Sequence, residues 1–153
     1  MRNEEFIQSR LIDESQKLLA AKFYFPAFLI ASQGIETLGA FLDKKPLSAK
    51  RQSKKRFYLA IRELFKENYQ TLSQDDWLYK QLRCNMSHLS HHGGFVNLFV
   101  KKDAKHIHLA FKQGCRTFVI DEFLSDFESA CNKLNQLLIQ GILPQKKMSL
   151  RQI

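Results

Sequence analysis

The sequence predicts a mainly α fold: a bundle of four to five helices with a small β-hairpin inserted before the last helix. Three observations carry this. Apolar residues recur every three or four positions over most of the chain up to Leu89, which lines one face of each helix. After Gly93–Gly94 the period drops to two, the mark of extended chain. From Asp121 the helical period returns and runs to about Gln140. At 153 residues one domain is the default. We place it at residues 1–142, with the hairpin at about 94–120 and a basic, loose tail at 143–153.

The first helix spans Asn3 to Ala21, with Phe6, Ile7, Leu11, Leu18 and Leu19 inward. Lys22–Phe25 is the expected break, because Pro26 disfavours helix at Phe25 but suits the first turn of a new helix. That second helix, Pro26–Leu42, is apolar nearly all round and is therefore central in the bundle or covered by a second subunit. Pro26, Gln33, Glu36 and two glycines mark it as a core helix and not a membrane span. Gly34 and Gly39 cost helix propensity, about 1 kcal/mol each relative to Ala, so close backbone approach is the expected reason for them. Glu36 either takes a cationic partner, for which Arg83 is the candidate, or faces solvent on a narrow strip.

Pro46 breaks the second helix and Ser48 is the expected cap of the third. Phe57, Ala60, Ile61, Leu64 and Phe65 form the cleanest amphipathic row in the chain, which ends near Asn68–Tyr69. Ser73 is the expected cap of a fourth helix starting at Trp77, with Asp75 and Asp76 in its first turn. Residues 95–100 and 106–111 then read as two strands about the turn 101–105, which sets His106 and His108 on one side of a strand. Gln113–Gly114 turns again, and Cys115–Ile120 supplies a third short strand. Phe123, Phe127, Ala130, Cys131, Leu134, Leu137 and Leu138 form the buried side of the last helix, closed by Gly141 and Pro144.

Thirteen Phe against one Trp predict a core of packed rings. The formal net charge of +9 favours an anionic partner, nucleic acid first. The charge concentrates in the connector after the second helix, where Lys44, Lys45, Lys50, Arg51, Lys54, Lys55 and Arg56 have no acid among them between Asp43 and Glu63. These seven are the candidate phosphate-backbone contacts; the alternative is an ordinary solvated surface. Three cysteines without CxxC spacing fit a reducing, cytoplasmic setting better than a disulfide scaffold or a thiolate zinc site. His88, His91 and His92 lack a nearby carboxylate or thiol at ligand spacing, so no metal site is expected.

The stretch that carries chemistry is Trp77–Gly94. Arg83 and His88 lie five apart there, roughly 140° around an ideal helix, so both can flank one groove. A permanently charged fork suits two phosphoryl oxygens, and an imidazole titrates near neutrality. The structural alternative is that Arg83 holds Glu36 or a helix end while His88 caps its own helix.

In Leu82-Arg83-Cys84-Asn85-Met86-Ser87-His88 the chain resembles the HEPN superfamily, whose mark is Arg, four to six residues, then His. The order of an apolar helix with GIETLG, a basic helix and then LYKQLRCNMSH is also similar to that of bacterial HEPN-like proteins. The resemblance implies a small dimerising helical bundle and a metal-independent endoribonuclease, in several cases a toxin paired with an antitoxin protein. Its implied active pair is Arg83 and His88, with no cofactor. Cys84 stands where the family typically has a polar residue, and Asn85, one place later, is the substitute. The implied reaction is attack of the RNA 2′-hydroxyl on phosphorus, giving a 2′,3′-cyclic phosphate. The alternative is a non-catalytic helical module that binds nucleic acid or a protein.

Overall fold

The computed structural model describes residues 1–85, 95–101 and 105–148. His88, His91, His92 and residues 149–153 lie outside the described residues. The architecture is mainly helical, with six helices among the described residues and a three-stranded sheet placed before the last of them.

Helix α1 covers residues 3–20 as three continuous segments, Asn3–Phe6, Ile7–Asp13 and Glu14–Ala20, the middle one wound as a wider π-type turn. It buries Ile7, Leu11 and Ile12. The chain reverses at Lys22, in the left-handed region with φ 64°. Helix α2, Tyr24–Leu42, then starts two residues earlier than expected, with Pro26 in its first turn, where a missing N–H costs nothing. Its window of greatest hydropathy is long and apolar enough to span a membrane, yet more than half of it is buried inside the fold. Helices α1, α3 and α6 of the same chain cover it, with α3, Ser53–Leu64, and α6, Ile120–Ile139.

Two expected caps do not form. Helix α3 begins at Ser53, five residues after Ser48, because residues 46–51 turn on themselves before the helix starts. Ser73 donates to the Tyr69 carbonyl (2.9 Å) and so closes the helix before it instead of opening the one after. The third helix is also shorter than its apolar row. Phe65 is extended (ψ 163°), Phe65 still packs into the core, and a short α4, Glu67–Leu72, carries Tyr69 to a fully buried position. A 3₁₀ turn, Gln74–Asp76, with Asp75 and Asp76 at φ 57° and 62°, leads through Trp77 and Leu78 into α5, Tyr79–Asn85, which is wound as a wider π-type turn.

The sheet differs from the expected hairpin. Strand β1, Val96–Phe99, forms as anticipated, but residues 106–110 are not a strand. The hairpin joins β2, Phe111–Lys112, to β3, Cys115–Val119, through Gln113 and Gly114, both at positive φ (52° and 78°), as a two-residue primed turn requires. Strand β1 pairs parallel with β3, giving the order β1-β3-β2. His106 and His108 therefore share no strand face. His106 stacks on Phe99 with ring centroids 3.5 Å apart. His108 is buried: Nδ1 accepts from the Val119 N–H (3.0 Å) and Nε2 lies 2.8 Å from the Tyr69 hydroxyl, which donates to Asp126 (2.8 Å). The Val119 bond leaves the ring proton on Nε2, so the relay runs His108 to Tyr69 to Asp126.

The core is ring on ring, as the Phe count foretold: Phe28, Phe118 and Phe123 have centroids 4.7 to 5.6 Å apart. Helix α6 closes with a Schellman arrangement, the N–H of Ile142 on the Leu137 carbonyl (3.0 Å) and that of Gly141 on Leu138 (3.1 Å), Gly141 at φ 71°. The expected loose tail is fastened where it is described. Asn3 exchanges bonds with the backbone of Lys146 (2.9 and 2.6 Å), and Gln145 bonds Asn3 and Glu4. The Lys146 ammonium donates to the carbonyls of Ala40, Asp43 and Lys45 at the end of α2. Three acceptors on one Nζ require its protonated form.

Candidate functional site

The site is built where α2, the start of α3 and α5 meet. Glu36 is half-buried on α2, and the Nε of Arg83, from α5, donates to its Oε2. Ser53, the first residue of α3, donates to the same oxygen (2.6 Å) and receives the Tyr79 hydroxyl (3.1 Å). Tyr79 is four residues before Arg83, one turn back on the same face of α5. Its ring is braced edge-on by Phe57, 5.5 Å away. Gln33, one turn before Glu36 on α2, donates to the Leu82 carbonyl (3.3 Å), tying α2 to α5 beside the pair. Both sequence alternatives for Glu36 are thus partly met: it is paired with Arg83, and its side chain keeps 24% of its surface exposed.

The exposure opens onto a cavity of about 680 Å³. Glu36, Arg83 and Gln33 form one polar wall; Phe6, Phe41 and Met148 form an apolar one, with Lys147 at the fastened tail. Arg83 retains 27% of its side-chain surface. A cavity with a held guanidinium on one side and rings on the other suits an anionic ligand with flat apolar parts.

The other candidates separate. Asn85 donates to Gln81 (3.1 Å) one turn back and is not a lining residue of the cavity. His88 lies outside the described residues. Lys44, Lys45, Lys50 and Arg51 are exposed. Lys54 is taken by Asp76, which also accepts the Tyr58 hydroxyl (2.7 Å), and Lys55 stands 3.4 Å from Asp43. The hydrogen bonds from Lys54 and then Tyr58 lower the Asp76 carboxyl against the opposing effect of burial, while burial first and Asp76 second raise the Tyr58 phenol.

Arg56 is a correction. It is only 5% exposed and does not belong to the solvated run, yet it lines the same cavity as Glu36 and Arg83. Its Nε bonds Asp43 (3.2 Å), and its two Nη atoms bond the carbonyls of Leu47 (3.0 Å) and Pro46 (2.7 Å). Burial alone would raise the Asp43 carboxyl, but Arg56, the Lys45 amide and Lys55 outweigh it and hold the pKa below its ordinary value. Arg56 points inward because it lies one residue before Phe57 on the buried stripe of α3, where a guanidinium can reach carbonyls that the connector presents to the core.

Among the described residues, no group of three or more His, Cys, Asp and Glu side chains is arranged to hold a metal. Ser53, Tyr79, Gln33, Lys147 and Met148 were not singled out from the sequence. Tyr79 alone carried a signal, its four-residue spacing from Arg83; the others reach the site through tertiary contact. Comparison with protein families, curated proteins and solved structures finds no match for this chain.

Proposed function

We propose that the protein is a metal-independent endoribonuclease of HEPN type, acting in the cytoplasm as a homodimer. The observation that supports this is the Glu36–Arg83 pair lining an open cavity in a chain of net charge +9. Glu36, its carboxylate itself held by Ser53, fixes the guanidinium in one orientation, which lowers the cost of ordering it against a phosphoryl group. The 2′-oxygen attacks phosphorus as His88 accepts its proton; the bond to the 5′-oxygen breaks, and that oxygen leaves with a proton from a second His88 across the dimer. The products are a 2′,3′-cyclic phosphate and a 5′-hydroxyl. Exposed Lys44, Lys45, Lys50 and Arg51 add sequence-independent attraction for the backbone. An antitoxin protein fits this reading as a cover for the cavity.

One observation favours a second reading, a non-catalytic module that binds RNA or a protein: the charge of Arg83 is already balanced by Glu36. Mixed-sequence RNA incubated with the protein in EDTA separates the two. Cleavage to cyclic-phosphate ends that disappears in both Arg83→Ala and His88→Ala supports the nuclease. Cleavage that persists in those variants refutes the site, and retention of RNA without cleavage selects the second reading.

A further inference from the structure

A second cleft, of about 250 Å³, lies away from the first and shares no lining residue with it. Its walls are Thr71 and Leu72 from α4, Gln74 and Trp77 from the turn into α5, and Phe111 and Arg116 from the hairpin. Phe111 and Arg116 are cross-strand partners in the β2–β3 register, so their side chains project on one face. The Arg116 guanidinium lies over the Phe111 ring, 5.0 Å from its centroid. Phe111 itself is 64% exposed, unusual for a ring with so much apolar surface to bury.

Arg116 has no carboxylate partner within ion-pair distance among the described residues. Its Nη1 bonds the Leu109 carbonyl (2.9 Å), and its Nε is buried without an acceptor. A cation left unneutralised in a cleft favours an electron-rich, hydrogen-bond-accepting ligand. Two aromatic rings and a guanidinium plane favour a flat one. Thr71 and Gln74 add a hydroxyl and an amide, which both donate and accept and so tolerate different ring edges. The volume is right for one ring system and too small for a peptide segment.

We infer that this cleft takes an unpaired base of a single-stranded nucleic acid, stacked on Phe111 with Arg116 and Trp77 beside it. It is a binding site independent of cleavage at Arg83, and it gives the protein a preference for single strands over duplex, whose bases are already stacked.

Trp77 is the only tryptophan in the chain, so its fluorescence reports on this cleft alone. The probe is a mixed-base ten-nucleotide RNA in which every 2′-hydroxyl is methylated; it lacks the nucleophile, so the outcome does not depend on nuclease activity. Binding to the full chain is followed by Trp77 emission and, in parallel, by anisotropy of an end label. The expected result is a saturable change in Trp77 emission, with affinity weakened about tenfold in Phe111→Ala and unchanged in Ile139→Ala, an exposed apolar residue of α6 that lines neither cavity. Because Phe111 is exposed, that variant keeps the fold, which far-UV circular dichroism checks. Heparin, a polyanion without bases, should leave Trp77 emission unchanged. An oligonucleotide that binds equally well to Phe111→Ala, one that does not bind, or an equal response to heparin overturns the inference.

Discussion

Gly39 on α2 rests against the backbone of Arg56 on α3: a Cβ placed on Gly39 would stand 1.7 Å from the Arg56 carbonyl oxygen and 2.4 Å from its carbonyl carbon. Two helices crossing this closely leave no side chain between them, and the obstacle is rigid backbone. Gly39→Ala should therefore push α3 away and lower stability by about 3 kcal/mol, the upper part of the range for overpacked cores. Gly34→Ala meets only the Phe127 ring edge, at 2.4 Å, which can swing aside, and should cost less. Urea denaturation of the two variants checks the order.

The same crossing turns the Arg56 guanidinium inward onto Asp43. Arg56→Ala leaves a buried carboxylate with one partner fewer and is expected to destabilise the fold by about 3 kcal/mol. RNA affinity of the folded protein should hardly change. Lys44→Ala with Lys45→Ala should do the reverse, leaving stability alone while weakening RNA binding and flattening its salt dependence. Thermal melts beside binding at two salt concentrations distinguish the pairs.

Glu36 acts on substrate only through Arg83, so it is a positioning residue. Under the nuclease reading, Glu36→Ala should reduce kcat about a hundredfold with little change in KM. Glu36→Gln keeps an oxygen for Arg83 and Ser53, and should recover most of that loss. A variant series in which KM moves and kcat does not would place Glu36 in binding alone.

His108 carries a pH dependence. Burial lowers its pKa below the ordinary 6.5, against the pull of Asp126 and Glu122 on α6 and with the help of Lys66. The unfolded chain therefore takes up a proton at this ring before the folded chain does. Its contribution to stability is fully present above pH 6.5 and declines as pH falls below that value. Protonation would also remove the acceptor for the Val119 N–H, at the junction of β3 and α6. Urea midpoints at pH 7.5 and 5.5 should fall further in the wild type than in His108→Gln.

Much of the fold was legible from periodicity. The helices came out within a few residues because each has one face to bury, and the pattern of that face is local. The Glu36–Arg83 pair was legible as a question: a carboxylate in an apolar helix needs a partner, and 47 residues separate the two. The hairpin was misread. Val96–Phe99 and the stretch from His106 to Phe111 alternate equally well, and alternation does not say which strands are neighbours. The parallel β1–β3 pairing leaves residues 106–110 to reach around, so that His108 is spent on Tyr69 and Val119. The tail read as loose because PQKKM is polar, and no local rule tells a lysine that three distant carbonyls await it.

By itself the sequence determined the helical class, the ring-packed core and the excess of positive charge, since these follow from composition and spacing within single elements. Tertiary structure alone decided which cations face water and which, like Arg56, are consumed inside. It also decided that Ser53 and Tyr79 brace the Glu36–Arg83 pair and that Lys147 and Met148 line its cavity. The physical reason is that burial and ion pairing depend on distances between segments remote in the chain, and a one-dimensional pattern holds no such distances.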